Sequence, residues 1–158
     1  MSTPRVLIVE DEPLVAMDLE SIVLGVIAAD VVVVASVSGA RQAMAAPLDF
    51  ALLDIEVTDG RTFEIARELQ RNGAAFVFIS GARQEALPPD LRSAPFISKP
   101  FDRRQIERFC VNNPPRAPSD RVESRRHYDP VPQSRDRRAP DDSWLLRRGL
   151  GWKAPLSQ

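Results

Sequence analysis

Five short apolar runs constrain this chain more than any other feature: Val6–Val9, Val31–Val34, Phe50–Leu53, Phe76–Ile79 and Phe96–Ile97. Each is near-continuous and rich in Val, Ile and Phe. The alternating polar residues of a sheet that faces water on one side are missing. Strands covered on both faces, as in a parallel sheet packed between helices, have this pattern. The segments between them repeat at helical spacing. Val15, Leu19, Ile22 and Val26 fall at i, i+4, i+7 and i+11, and Pro13 stands at a first helical position, where its missing N–H is tolerated. Ala40, Ala43 and Met44 follow Ser38, which is placed as an N-cap, and Ile65, Ala66 and Leu69 make a third apolar face. In the last segment Asp102 is placed to cap, Gln105 stands three residues on, and Phe101 with Ile106 is spaced as a hydrophobic staple. The fourth helix, expected over Ala82–Leu87, is cut short by Pro88 and Pro89. Strand and helix alternate five times, so the expected class is α/β, a doubly wound five-stranded parallel sheet.

The organisation along the chain is uneven. Of 158 residues, 44% are apolar, enough for one real core with an appendage. Residues 1–113 hold 11 basic and 16 acidic side chains, whereas 114–158 hold 10 basic, 6 acidic and half of the 14 prolines. The reading is therefore a domain over 1–113 and a Pro/Arg-rich, disordered tail over 114–158. Within the tail, Trp144, Leu145, Leu146, Leu150 and Trp152 form a small apolar patch, and His127 lacks neighbours at ligand spacing. The single cysteine, Cys110, excludes a disulfide framework and a cysteine metal cluster and reads as a small buried apolar residue. The longest apolar stretch, Ile22 to Val37, is broken by Asp30 and falls short of a bilayer span, and the N-terminus lacks a secretory signature. A cytoplasmic protein with no membrane span is expected.

Ligands of open parallel sheets sit at the carboxyl ends of the strands. Glu10 and Asp11 follow the first run, Asp54 the third, Ser80 the fourth and Lys99 the fifth. Three carboxylates, a hydroxyl and an ammonium would meet on one sheet edge. Packed carboxylates repel one another, and a hard divalent cation such as Mg2+ relieves that repulsion. A carboxylate can also attack phosphorus to give an aspartyl phosphate, whose oxygens a metal, a lysine and a hydroxyl can hold. Taken singly, each residue is as well explained as a cap or a turn. Their joint placement is what argues for chemistry.

The run Val6-Leu7-Ile8-Val9-Glu10-Asp11-Glu12-Pro13-Leu14 resembles the opening of a response-regulator receiver domain. Leu52-Leu53-Asp54-Ile55-Glu56-Val57-Thr58-Asp59-Gly60 resembles its phosphoacceptor strand and loop, and Phe76–Ser80 with Phe96–Phe101 completes the set. The resemblance spans residues 5–112 and implies a flavodoxin-like (βα)5 sheet in the order 2-1-3-4-5, with a shortened fourth helix. It implies Asp54 as phosphoacceptor, and Mg2+ held by Glu10, Asp11, Asp54 and the backbone carbonyl of Glu56. Lys99 would pair with the phosphate, Ser80 would be the switch hydroxyl, and Phe96 would stand at the aromatic switch position. The Lys99–Pro100 bond would be cis. Ser80 stands where threonine is commoner. A histidine kinase or phosphotransfer protein would be the donor, and an unknown downstream protein the target. Phe78-Ile79-Ser80-Gly81 with Lys99-Pro100-Phe101 resembles a group of stand-alone receivers with an altered fourth helix.

Two alternatives come from other classes. Asp54-Ile55-Glu56-Val57-Thr58 faintly resembles a haloacid-dehalogenase-type phosphatase, but Glu56 stands where that family carries a second Asp. A pseudo-receiver that binds partners without phosphorylation is the other. A flavodoxin-type phosphate cradle is disfavoured by Glu10-Asp11-Glu12, which would repel a phosphate. Nucleic-acid binding is not expected, because no pair of helices suits a helix-turn-helix.

Overall fold

The computed structural model describes residues 3–114. The order of elements is β1 (Arg5–Val9), α1 (Pro13–Val26), β2 (Asp30–Val34), α2 (Val37–Ala43), β3 (Phe50–Leu53), β4 (Glu56–Val57), β5 (Gly60–Arg61), α3 (Phe63–Arg71), β6 (Ala75–Ser80), β7 (Phe96–Ser98) and α4 (Arg103–Asn112). The five long strands form one parallel sheet in the order β2-β1-β3-β6-β7. That is the expected 2-1-3-4-5 arrangement once the small β4–β5 hairpin is set aside.

The continuous apolar runs follow from two cores. Successive side chains of a strand point to opposite faces. Leu7, Val9, Ala51, Leu53, Phe76 and Phe78 pack with Ala40 and Ala43 of α2 and Ile65, Ala66 and Leu69 of α3. Val6, Ile8, Phe50, Leu52, Val77 and Ile79 pack on the other face with Leu19, Ile22 and Val23 of α1 and Ile106 and Cys110 of α4. Phe50 also meets Phe109 edge to face at 5.7 Å, an arrangement aromatic quadrupoles favour. Burial holds the Cys110 thiol up at about 11, so it behaves as an inert apolar group.

Helix starts agree with the sequence in two cases and differ in one. α1 begins at Pro13. α4 carries the full capping box: the Asp102 carboxylate accepts from Arg104 N–H at 2.9 Å, and Gln105 Oε1 accepts from Asp102 N–H at 3.0 Å. Phe101 and Ile106 join the same core cluster. The cap of α2 is Ser36, not Ser38. Its hydroxyl accepts from Gly39 N–H at 3.0 Å, while Ser38 lies inside the first turn. Only Ser36 has the extended backbone an N-cap needs, because β2 ends two residues before it.

The shortened fourth helix is reduced to two single 3-10 turns, Gln84–Ala86 and Pro89–Leu91. The pair Pro88-Pro89 removes two donors and prevents continuation. The segment is nonetheless anchored. Leu87 and Leu91 are buried among the residues facing α3, and Arg67 of α3 holds Asp90 through two hydrogen bonds, at 2.7 and 3.1 Å. The expectations on the tail, including His127 and the Trp144–Trp152 patch, lie outside the described residues.

Candidate functional site

The carboxyl ends of β1, β3, β6 and β7 share one edge of the sheet, and there the chain turns polar. Glu10 and Asp11 follow β1, Asp54 follows β3, Ser80 closes β6 and Lys99 follows β7. Glu10, Asp54 and Ser80 are buried, an unusual condition for carboxylates that calls for partners.

Lys99 supplies most of that partnership. Its Nζ lies 2.6 Å from Asp54 Oδ2, 2.7 Å from Glu10 Oε2 and 3.6 Å from Glu12 Oε1. The Lys99–Pro100 bond is cis, as the resemblance implied. Backbone bonds hold the rest. Glu10 Oε1 accepts from Glu12 N–H at 3.0 Å, and Asp54 Oδ1 accepts from Ile55 N–H at 2.6 Å. Burial pushes the Glu10 carboxyl above its ordinary range, and the Lys99 and Glu12 contacts offset only part of that. Burial alone would lower the Lys99 ammonium, but its bonds to Asp54 and Glu10 outweigh it and raise the group. Lys99 is thus firmly charged.

Oxygens of Glu10, Asp11 and Asp54 all lie within 4.8 Å of one another. Neighbouring oxygens on an octahedral Mg2+ stand about 3 Å apart and opposite ones about 4.2 Å, so these carboxylates would have to draw inward onto one ion. Glu10 Oε2 meets Lys99 as an ion pair but makes no well-directed hydrogen bond, which leaves it able to respond to a second cation. The donor set is all oxygen and suits a hard divalent cation.

The other expected residues make separate contacts. Ser80 Oγ accepts from Ala82 N–H at 3.3 Å, and Ser80 O accepts from Lys99 N–H at 2.9 Å. The hydroxyl is thus engaged with the loop after β6. Phe96 is half-buried beside the cluster that contains Leu87 and Leu91, paired in register with Phe78. Glu56 begins the β4–β5 hairpin, and its exposed carboxylate pairs with Arg61 at 2.9 Å.

Four residues at or near the site have roles that the sequence did not reveal. Glu12 adds a third carboxylate near Lys99. Thr62 donates its hydroxyl to the backbone carbonyl of Asp54 at 2.6 Å. Asp59, at the tip of the hairpin, accepts from Val37 N–H at 2.5 Å and Ser38 N–H at 3.0 Å, while Thr58 bonds Ala35 O. The two backbone N–H groups of α2 hold the Asp59 carboxyl below the usual range. The only local hint was Asp59-Gly60, which reads as a turn.

Neither a scan against protein-family models nor a search of the curated proteins returns a match. Solved structures do match. SdrG from Sphingomonas melonis Fr1 is 31% identical, with 68% of this chain and 94% of that one covered and a TM-score of 0.56. The PhyR response regulator REC domain of Erythrobacter litoralis is 26% identical, covering 74% of this chain and 98% of that one, TM-score 0.59. The chain belongs to the response-regulator receiver family. Response regulator TrrA from Thermotoga maritima, solved in complex with Mg2+ and BeF, shares the receiver fold at 17% identity, with 71% of this chain and all of that one covered and a TM-score of 0.62. In this receiver, as the resemblance required, the five-stranded parallel sheet is complete and its polar edge is the one that holds the buried acids. No helix among the described residues is long and apolar enough to cross a membrane.

Proposed function

We propose that this receiver is the phosphoacceptor of a cytoplasmic two-component signalling system, a signalling protein rather than an enzyme with a separate substrate. Asp54 accepts the phosphoryl group. One carboxylate oxygen forms the new O–P bond as the bond from phosphorus to the donor breaks, and the donor leaves with that electron pair. Glu10, Asp11, Asp54 and the backbone carbonyl of Glu56 would hold Mg2+, which when bound would supply positive charge for the phosphoryl oxygens. Lys99, already on Asp54 at 2.6 Å, pairs with one of those oxygens as charge develops. The Ser80 hydroxyl leaves Ala82, donates to the phosphoryl group and lets Phe96 turn, which changes the face beside β7. The phosphodonor is a histidine kinase or phosphotransfer protein, and the output is a changed contact with a downstream protein, without nucleic acid.

The observation that carries this reading is the convergence of Glu10, Asp11 and Asp54 within 4.8 Å, with Lys99 bridging two of them. The Mg2+–BeF complex of the Thermotoga relative supports the same choice of metal. Incubation of the full chain with acetyl phosphate and Mg2+ should add one phosphoryl mass. Chelation and Asp54→Asn should each prevent it, and a full mass gain in Asp54→Asn would overturn the assignment.

A further inference from the structure

Thr62 is fully buried and stands at the N-cap of α3. A threonine there ordinarily turns its hydroxyl oxygen onto the first N–H groups of its own helix. Here it makes no such bond. The hydroxyl instead donates to Asp54 O at 2.6 Å, eight residues back, while Thr62 N–H donates to Ile55 O at 3.0 Å. Two successive carbonyls of the Asp54 loop are therefore held by one residue.

The first of those carbonyls belongs to the peptide group that joins Asp54 to Ile55. The other end of that same group, Ile55 N–H, donates to Asp54 Oδ1 at 2.6 Å. Asp54 Oδ2 is meanwhile held by Lys99. Accepting a bond at a peptide carbonyl polarises the group and strengthens its N–H as a donor. The chain of contacts runs from the Thr62 hydroxyl through one peptide plane to the carboxylate itself.

We propose that Thr62 is a positioning residue for phosphoryl transfer: its hydroxyl fixes and polarises the Asp54–Ile55 peptide, which in turn orients the Asp54 carboxylate. This rests on Asp54 being the phosphoacceptor. Thr62 touches neither phosphoryl group nor metal and acts only through that peptide. A rotation of the carboxylate by a small angle moves its oxygen out of line with the incoming phosphorus, and such misplacement costs rate.

The test compares the full chain with Thr62→Val, which keeps the shape and loses the donor, and Thr62→Ser, which keeps the donor. Thr62→Val should take phosphate from acetyl phosphate with Mg2+ several-fold to about tenfold more slowly, the range expected for one lost hydrogen bond. Thr62→Ser should restore most of the rate. The Ile55 amide proton should move upfield in Thr62→Val and return in Thr62→Ser, a signature that a merely space-filling threonine would not give. An unchanged rate and an unchanged Ile55 resonance in Thr62→Val would overturn the proposal, as would failure of serine to rescue either. Should Thr62→Val not fold, the wild-type chain still decides. Its Thr62 hydroxyl proton should exchange slowly enough to be seen by NMR, and a fast-exchanging one would overturn the assignment. If wild type takes no phosphate at all, the phosphoacceptor reading fails, whereas the Ile55 resonance still reports on Thr62.

Discussion

Lys99 holds two buried carboxylates at once, Glu10 at 2.7 Å and Asp54 at 2.6 Å. Removing it strands both. Lys99→Ala should lose on the order of 1–3 kcal/mol of stability without Mg2+, as expected for buried charges left unpaired. Glu10, already pushed upward by burial, can take a proton, and this limits the loss. Added Mg2+ should recover part of the melting temperature in the variant, because a second cation then offsets the same charges. A variant that melts like wild type with and without Mg2+ would show that the ion pairs contribute nothing. Ser80 makes a different test. Its hydroxyl oxygen accepts from Ala82 N–H, and its own proton can be donated to a phosphoryl oxygen. Ser80→Ala should accept phosphate on Asp54 yet show smaller NMR shifts at Phe96 than wild type on phosphorylation. Equal shifts would exclude the hydroxyl from the relay.

At the scale of elements, the β4–β5 hairpin ties the Asp54 loop to α2. Asp59 reaches across to the N–H groups of Val37 and Ser38. Its folded pKa lies below the ordinary value, so the stabilisation is fully present above the unfolded value and is lost as pH falls through the folded one. Wild type should therefore melt higher than Asp59→Asn at neutral pH. The gap should close as pH falls below about 4, where even an ordinary aspartate takes its proton. A constant gap across that range would mean that the charge is irrelevant to the cap. Ser36 satisfies a third N–H of the same helix, so α2 is capped by one local and one distant residue. Only the local kind leaves a mark in sequence, and even that mark pointed to Ser38 instead. The same contrast applies between β6 and β7. Pro88 and Pro89 announced that the fourth helix would fail, but the anchoring of what remains by Leu87, Leu91 and the Arg67–Asp90 pair follows no local rule.

At the scale of the molecule, both core clusters among the described residues are filled by side chains that lie between Val6 and Cys110. Burial of these side chains stabilises the domain. A chain ending at Asn113 should melt within a few degrees of the full chain and take phosphate on Asp54 equally well. A large drop in melting temperature would place part of 114–158 in the fold and move the domain boundary.

The sheet and the acid-bearing edge were determined by sequence because each rests on adjacent residues. A strand buried on both faces must be apolar throughout, so Val6–Val9 and Phe50–Leu53 declare themselves. The first charged residues after them, Glu10 and Asp54, must then lie at the strand ends. Parallel alternation with helices puts those ends on one edge. Sequence also brought Ser80 and Lys99 to that edge, but tertiary structure alone decided which bonds form. Lys99 and Asp54 are 45 residues apart, Asp59 and Ser38 are 21 apart, and Thr62 could as well have capped its own helix. Each of those bonds depends on distances between elements that are set by how the two cores fill, and no local periodicity records that.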